Sequence, residues 1–149
     1  MTLPHAESVP MLGWIASNPV AYPALEAVHI VGIALLLGNL VLLEVRVWGA
    51  GAALPLEPLA RLALTISLCG FALAAASGTL MFATQPMELL ANRSFTLKMG
   101  LLMLAGTNAA LFHARGGLRR LDRLARAQTA LSLGLWLGVI ICGRWIAYR

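Results

Sequence analysis

The stretch from Pro23 to Trp48, PALEAVHIVGIALLLGNLVLLEVRVW, decides how this chain folds. No charged side chain falls between His29 and Glu44. About 20 predominantly apolar residues in a helix cross a hydrocarbon layer of about 30 Å. Pro23 opens the stretch where a helix best accepts proline, and Gly49 closes it. The following GAGAALP segment, Gly49 to Pro55, breaks the helix.

Three more stretches match that length. The second is expected from Glu57 to about Thr84, where Pro86 forces an end. The third runs from Ser94, a plausible N-cap, to Arg115, and the fourth from Arg126 to Tyr148. Upstream, residues 9–17 carry Met11, Leu12, Trp14 and Ile15 between polar neighbours. This segment is too short to span and predicts a helix lying in the membrane interface. Composition agrees: 60% of the 149 residues are hydrophobic and 11% charged, against about 25% charged in soluble domains. Such a chain has too little polar surface to cover itself in water. The expected architecture is one all-α transmembrane domain over residues 1–149, a four-helix integral membrane bundle with a short interfacial helix before it.

Five of the eleven basic residues lie between Arg115 and Arg126, joining the third and fourth spans. With Arg46 and Arg61 they put seven on one side. Arg93, Lys98, Arg144 and Arg149 are left for the other. Basic loops stay cytoplasmic, so both termini are expected outside, in the inner membrane of a bacterium. The patch lacks interleaved aromatics and length, which argues against nucleic acid and for anionic headgroups. The first ten residues contain no Lys or Arg, so no basic signal-peptide region is expected. Cys69 and Cys142 lie within apolar stretches and read as small buried side chains.

Small residues recur every fourth position at Gly70, Ala74 and Gly78, and at Gly134, Gly138 and Cys142. Such ridges let helix backbones approach closely in a membrane. Ionisable residues within spans need a partner or a purpose. Glu26, His29, Gly32, Leu36 and Asn39 share one side of the first span, which should face the bundle interior. The alternating topology brings His29, Glu26, Lys98 and Arg144, with Gln85 nearby, to one level near the outer surface. Snorkelling offers Lys98 and Arg144 an ordinary alternative, and Glu26 could simply complement the helix dipole. At the inner ends, Glu44, Arg46, Arg61, His113 and Arg115 read as interface anchors.

A haem between two histidines of a bundle is the obvious cofactor reading. His29 and His113 stand roughly 20 Å apart along the bundle at about 1.5 Å per residue, too far to share an iron. His29 could ligate alone, or opposite Met81, Met99 or Lys98. Glu26 and His29 supply two metal ligands on one helix face, and no second such pair exists.

Leu25-Glu26-Ala27-Val28-His29-Ile30-Val31, with Glu44-Val45-Arg46 beyond it, resembles the first helix of HemJ-type protoporphyrinogen oxidases, and Leu97-Lys98-Met99-Gly100-Leu101-Leu102 resembles their lysine segment. The resemblance implies a haem b ligand at His29 and an essential partner at Lys98. Their aromatic-rich segments after the lysine are missing here. CopD-type copper-resistance membrane proteins share the helix pattern more loosely. As a whole the chain is similar to a family of uncharacterised bacterial four-helix membrane proteins. Its hallmarks match Glu26 to His29, Asn92 to Lys98 and Gly143 to Tyr148.

Three functional expectations follow. The first is a haem b protein with a redox role. In it His29 is the axial ligand, Lys98 and Arg144 pair with propionates or an anionic substrate, and Glu26 orients His29 or relays a proton. The second is a non-enzymatic membrane subunit, partnering another subunit or a second copy of itself, or carrying a small ion. The third is a copper-type metal handler using Glu26, His29 and the methionines Met81, Met87, Met99 and Met103.

Overall fold

The four apolar stretches are helices in the computed structural model, which describes residues 10–148. Along the chain come α1 (Pro10–Ser17), α2 (Ala21–Val47), α3 (Leu56–Thr84), α4 (Pro86–Ala91), α5 (Arg93–Ala114), α6 (Gly117–Arg120) and α7 (Arg123–Ile146). No strand occurs among the described residues. Helices α2, α3, α5 and α7 have 27, 29, 22 and 24 residues. At about 1.5 Å per residue even α5 reaches roughly 33 Å, enough to cross a hydrocarbon core of about 30 Å. All four are long and apolar enough to span, and the protein is an all-α, multi-pass membrane protein.

Its packing is that of a protein solvated by lipid. Ile30, Leu62, Leu68, Met103, Leu104 and Ile141 stand exposed, whereas Ala60, Ala63, Ala74, Ala105 and Ala125 are buried. The large side chains face out and the small ones bring the helices together. Helix α2 lies directly on α3: a Cβ added at Gly32 would meet the Gly70 carbonyl oxygen at 2.7 Å, and one added at Gly70 would meet the Gly32 carbonyl oxygen at 2.6 Å. Ser67 reinforces the crossing by donating to the Leu36 carbonyl at 3.2 Å.

Helices α5 and α7 form a second pair. Asn108 donates to the backbone carbonyl of Gln128 at 2.8 Å, and Leu101 lies against Gly138. Gly134 of the same ridge faces open space. Aromatic contacts join the pairs, with Phe82 stacked on Phe95 at 5.5 Å and Phe71 edge-on to Trp136 at 6.5 Å. Trp48 closes α2 onto α7 by donating to the Thr129 hydroxyl at 2.7 Å. The helices therefore alternate in direction, which gives the bundle a His29 end and a Glu44 end.

Turns and caps move several boundaries from their sequence positions. Asn92, not Ser94, caps α5, accepting from the Ser94 backbone N–H at 2.9 Å. Asp122 caps α7 by accepting from Ala125 at 2.8 Å, so that helix starts at Arg123, three residues before Arg126. Pro86 ends α3 as expected but also opens the short α4. Helix α1 forms over residues 10–17 of the short segment expected at 9–17, buries Ile15 and leaves Trp14 exposed; residue 9 lies outside the described residues.

Candidate functional site

His29 sits one turn before Gly32 on α2, so the close Gly32–Gly70 crossing presses its ring onto α3. Its Nδ1 lies 2.8 Å from the carbonyl oxygen of Ala74 and 3.2 Å from the Ser77 hydroxyl. A carbonyl oxygen only accepts, so Nδ1 carries the hydrogen and donates it. Ser77 spends its own hydrogen on the Leu73 carbonyl at 2.8 Å and presents a lone pair to the imidazole. Gly78 makes room for the ring: a Cβ there would lie 3.1 Å from Cε1. These contacts fix the ring plane, and in the neutral imidazole they leave the lone pair on Nε2.

Lys98 comes from one turn inside α5. Its ammonium crosses to α7, 3.6 Å from where a Gly143 Cβ would stand. It lies within electrostatic range of the His29 ring. Among the described residues it makes no hydrogen bond and no ion pair. His29 from one helix pair and Lys98 from the other thus share a level. Beside them, Gln85 donates to the Tyr22 hydroxyl at 3.1 Å, tying the α3 terminus to the start of α2.

The other two expected members stand apart. Glu26 is exposed and has no hydrogen-bond or ion-pair partner among the described residues. Ala74 and Ser77 orient His29 in its place. Arg144 is exposed, donates to the Tyr148 hydroxyl at 2.7 Å and lies over that ring at 4.9 Å. That is the snorkelling arrangement of an aromatic belt. The described residues include no group of three or more His, Cys, Asp and Glu side chains suited to a metal ion. Both thiols are free, Cys69 exposed and Cys142 buried.

At the other end, Glu44 departs from the interface-anchor reading. It is 4% exposed and lines a cavity among α2, α3, α5 and α7 with His113. Helical phase accounts for this, because Leu36, Leu43, Glu44 and Val47 share the buried side of α2. Its neighbours remain ordinary. Arg46 donates to the Leu54 carbonyl at 3.0 Å, Arg61 pairs with Glu57 at 3.5 Å, and Arg115 pairs with Asp122 at 3.4 Å.

Compared with protein-family models, with curated proteins and with solved structures, the chain matches none. The functional reading therefore starts from the site itself.

Proposed function

We propose that this protein is a haem b-binding redox protein of the bacterial inner membrane, with both termini outside the cytoplasm and His29 as an axial ligand. The observation that carries the reading is the hydrogen bond from His29 Nδ1 to the Ala74 carbonyl. Histidines that ligate metals almost always donate their other ring nitrogen to a carbonyl or carboxylate, which sets the tautomer and the ring plane. An imidazole so anchored within a membrane span offers Nε2 as a ready ligand.

The remaining residues fit the same group. Lys98 supplies an ammonium without an anionic partner at the level of His29, suited to a propionate or an anionic substrate. Bound haem b would supply one-electron chemistry at its iron. Glu26, exposed on the first turns of α2, is placed to exchange protons with water. The distribution of Lys and Arg supports the orientation, since loops 48–55 and 115–122 lie at the Glu44 end with most of the basic residues.

An absorption spectrum of detergent-purified protein, expressed with haem supply, tests the reading. A Soret band lost in His29→Ala and weakened in Lys98→Ala is expected. A colourless protein, or a band indifferent to His29→Ala, overturns it.

A further inference from the structure

A second polar centre lies at the Glu44 end, about 22 Å from His29 along α2 at about 1.5 Å per residue. Glu44 is 4% exposed and Gln128 9%. Glu44 Oε2 and Gln128 Oε1 are buried without hydrogen-bond partners. Both side chains line a cavity of about 50 Å³, walled also by Leu64, Asn108, Thr129 and Ser132. A water-sized ligand needs roughly 10–15 Å³ in this measure, so the space accommodates a small guest.

The chemistry of the wall selects that guest. Asn108 donates to the Gln128 backbone carbonyl, and Thr129 accepts from Trp48 while donating to the Arg126 carbonyl at 2.8 Å. Ser132 stands beside the Glu44 carboxyl. What is left over is two acceptor oxygens, one of them on a carboxyl group. A water molecule could donate to both, yet it would leave a buried carboxylate uncompensated, which is costly.

Among the described residues Glu44 makes no ion pair. Arg46 on α2 is engaged with the Leu54 carbonyl; Arg115 pairs with Asp122 through Nη2, and its Nη1, buried without a partner, belongs to a residue outside the cavity lining. His113 on α5 is the only other titratable residue in the cavity lining and stands edge-on to Phe112 at 5.3 Å; α3 and α7 contribute uncharged side chains. One carboxylate balances one positive charge. A divalent ion would leave the site cationic, and an anion would be repelled.

We infer that the Glu44–Gln128 cavity binds one monovalent cation, either a proton held on Glu44 Oε2 and shared toward Gln128 Oε1, or a sodium-sized ion that takes both oxygens as ligands. Oxygen donors suit a hard cation, and both orphan acceptors belong to residues that line the one cavity. The site stands independently of haem at His29.

The test uses the full-length protein in lipid nanodiscs, without reading any haem signal. Infrared spectroscopy follows the carboxyl C=O band across pH, and unfolding temperature is measured in NaCl against choline chloride at equal ionic strength. A proton occupant gives a protonated-carboxyl band at neutral pH that Glu44→Gln abolishes and Gln128→Leu shifts. A sodium occupant gives a rise in unfolding temperature with NaCl that Glu44→Gln removes. Should Glu44→Gln fail to fold, Gln128→Leu keeps the carboxyl and must still shift the band or blunt the sodium response. A Glu44 that stays ionised at every pH where the protein is folded, with no sodium response, overturns the inference.

Discussion

His29 Nδ1 lies 2.8 Å from the Ala74 carbonyl oxygen, a contact between side chain and backbone of neighbouring helices that glycine makes possible. A helical carbonyl already accepts one intrahelical bond and keeps a second lone pair. For an imidazole to reach it across a helix interface, the two backbones must be nearly touching. Gly32 and Gly70 provide that approach one turn away from the bond, so the geometry of the candidate ligand is set by residues that never touch it.

The Gly32–Gly70 crossing should therefore resist any side chain. A Gly70 Cβ would meet the Gly32 carbonyl oxygen at 2.6 Å and the Leu36 backbone nitrogen at 2.7 Å, and neither can swing aside. Gly70→Leu is expected to cost about 1–3 kcal/mol, the usual range for overpacking, while Gly106→Ala, where nothing lies within 4 Å, costs nothing measurable. Unfolding in detergent micelles compares them. Equal stability of Gly70→Leu and the parent would show that the helices do not pack as described.

Ser77 and Gly78 hold the same ring by different means, and their substitutions should separate. Ser77→Ala removes an acceptor at 3.2 Å from Nδ1 but keeps the shorter bond to Ala74. Polar contacts between membrane helices average about 0.6 kcal/mol, so a loss of that order is expected, with the haem absorbance retained. Gly78→Leu places carbon where the imidazole Cε1 now lies within 3.1 Å of a Cβ position and should expel the ring, abolishing the absorbance. If the two variants retain haem equally, the anchoring account fails.

Lys98 and Gly143 form the matching test on the other helix pair. The ammonium stands 3.6 Å from the Gly143 Cβ position, an ordinary contact that a methyl group would keep and a longer side chain would overrun. On the haem reading, Gly143→Leu should displace it and weaken haem retention as Lys98→Ala is expected to, whereas Gly134→Leu, on a face with nothing within 4 Å, should not. Retention measured by absorbance after gel filtration distinguishes them. Loss in Gly134→Leu alone would contradict the assignment.

Much of this was legible in the sequence because lipid imposes simple rules. Span length, the Gly70-Ala74-Gly78 ridge and the level shared by His29 and Lys98 all follow from helix rise and alternation. The packed side of α2 is legible too, since Gly32 and Leu36 are buried on it; what the sequence leaves open is how far that side reaches at each end of the helix. At about 100° per residue, Glu26 lies roughly 60° around α2 from His29 and about 120° from Gly32. It falls off the edge of the packed face. Glu44 departs in the opposite sense: near the end of an apolar run a carboxylate resembles an interface anchor, yet it continues the buried line of Leu36, Leu43 and Val47. Arg144 lies one helical turn before Tyr148, a spacing that allows it to stack outward on that ring or turn inward, and it stacks.

Orientation in the membrane rests on charge and is open to direct measurement. Loop 115–122 carries Arg115, Arg119 and Arg120, with Arg123 and Arg126 just beyond, and positive residues near short loops hold them on the cytoplasmic side. In a Cys69→Ser background, Arg119→Cys and Ala50→Cys, both at exposed Glu44-end positions, should react with a membrane-impermeant maleimide only after the cells are permeabilised. Met87→Cys, exposed on α4 at the His29 end, should react in intact cells once the outer membrane is made leaky. Cys142 is buried and contributes little background. The opposite labelling pattern would invert the bundle, placing His29 at the cytoplasmic face and the Glu44 cavity toward the outside. Because the helix contacts themselves would be unchanged, that result would redirect the functional argument without touching the fold.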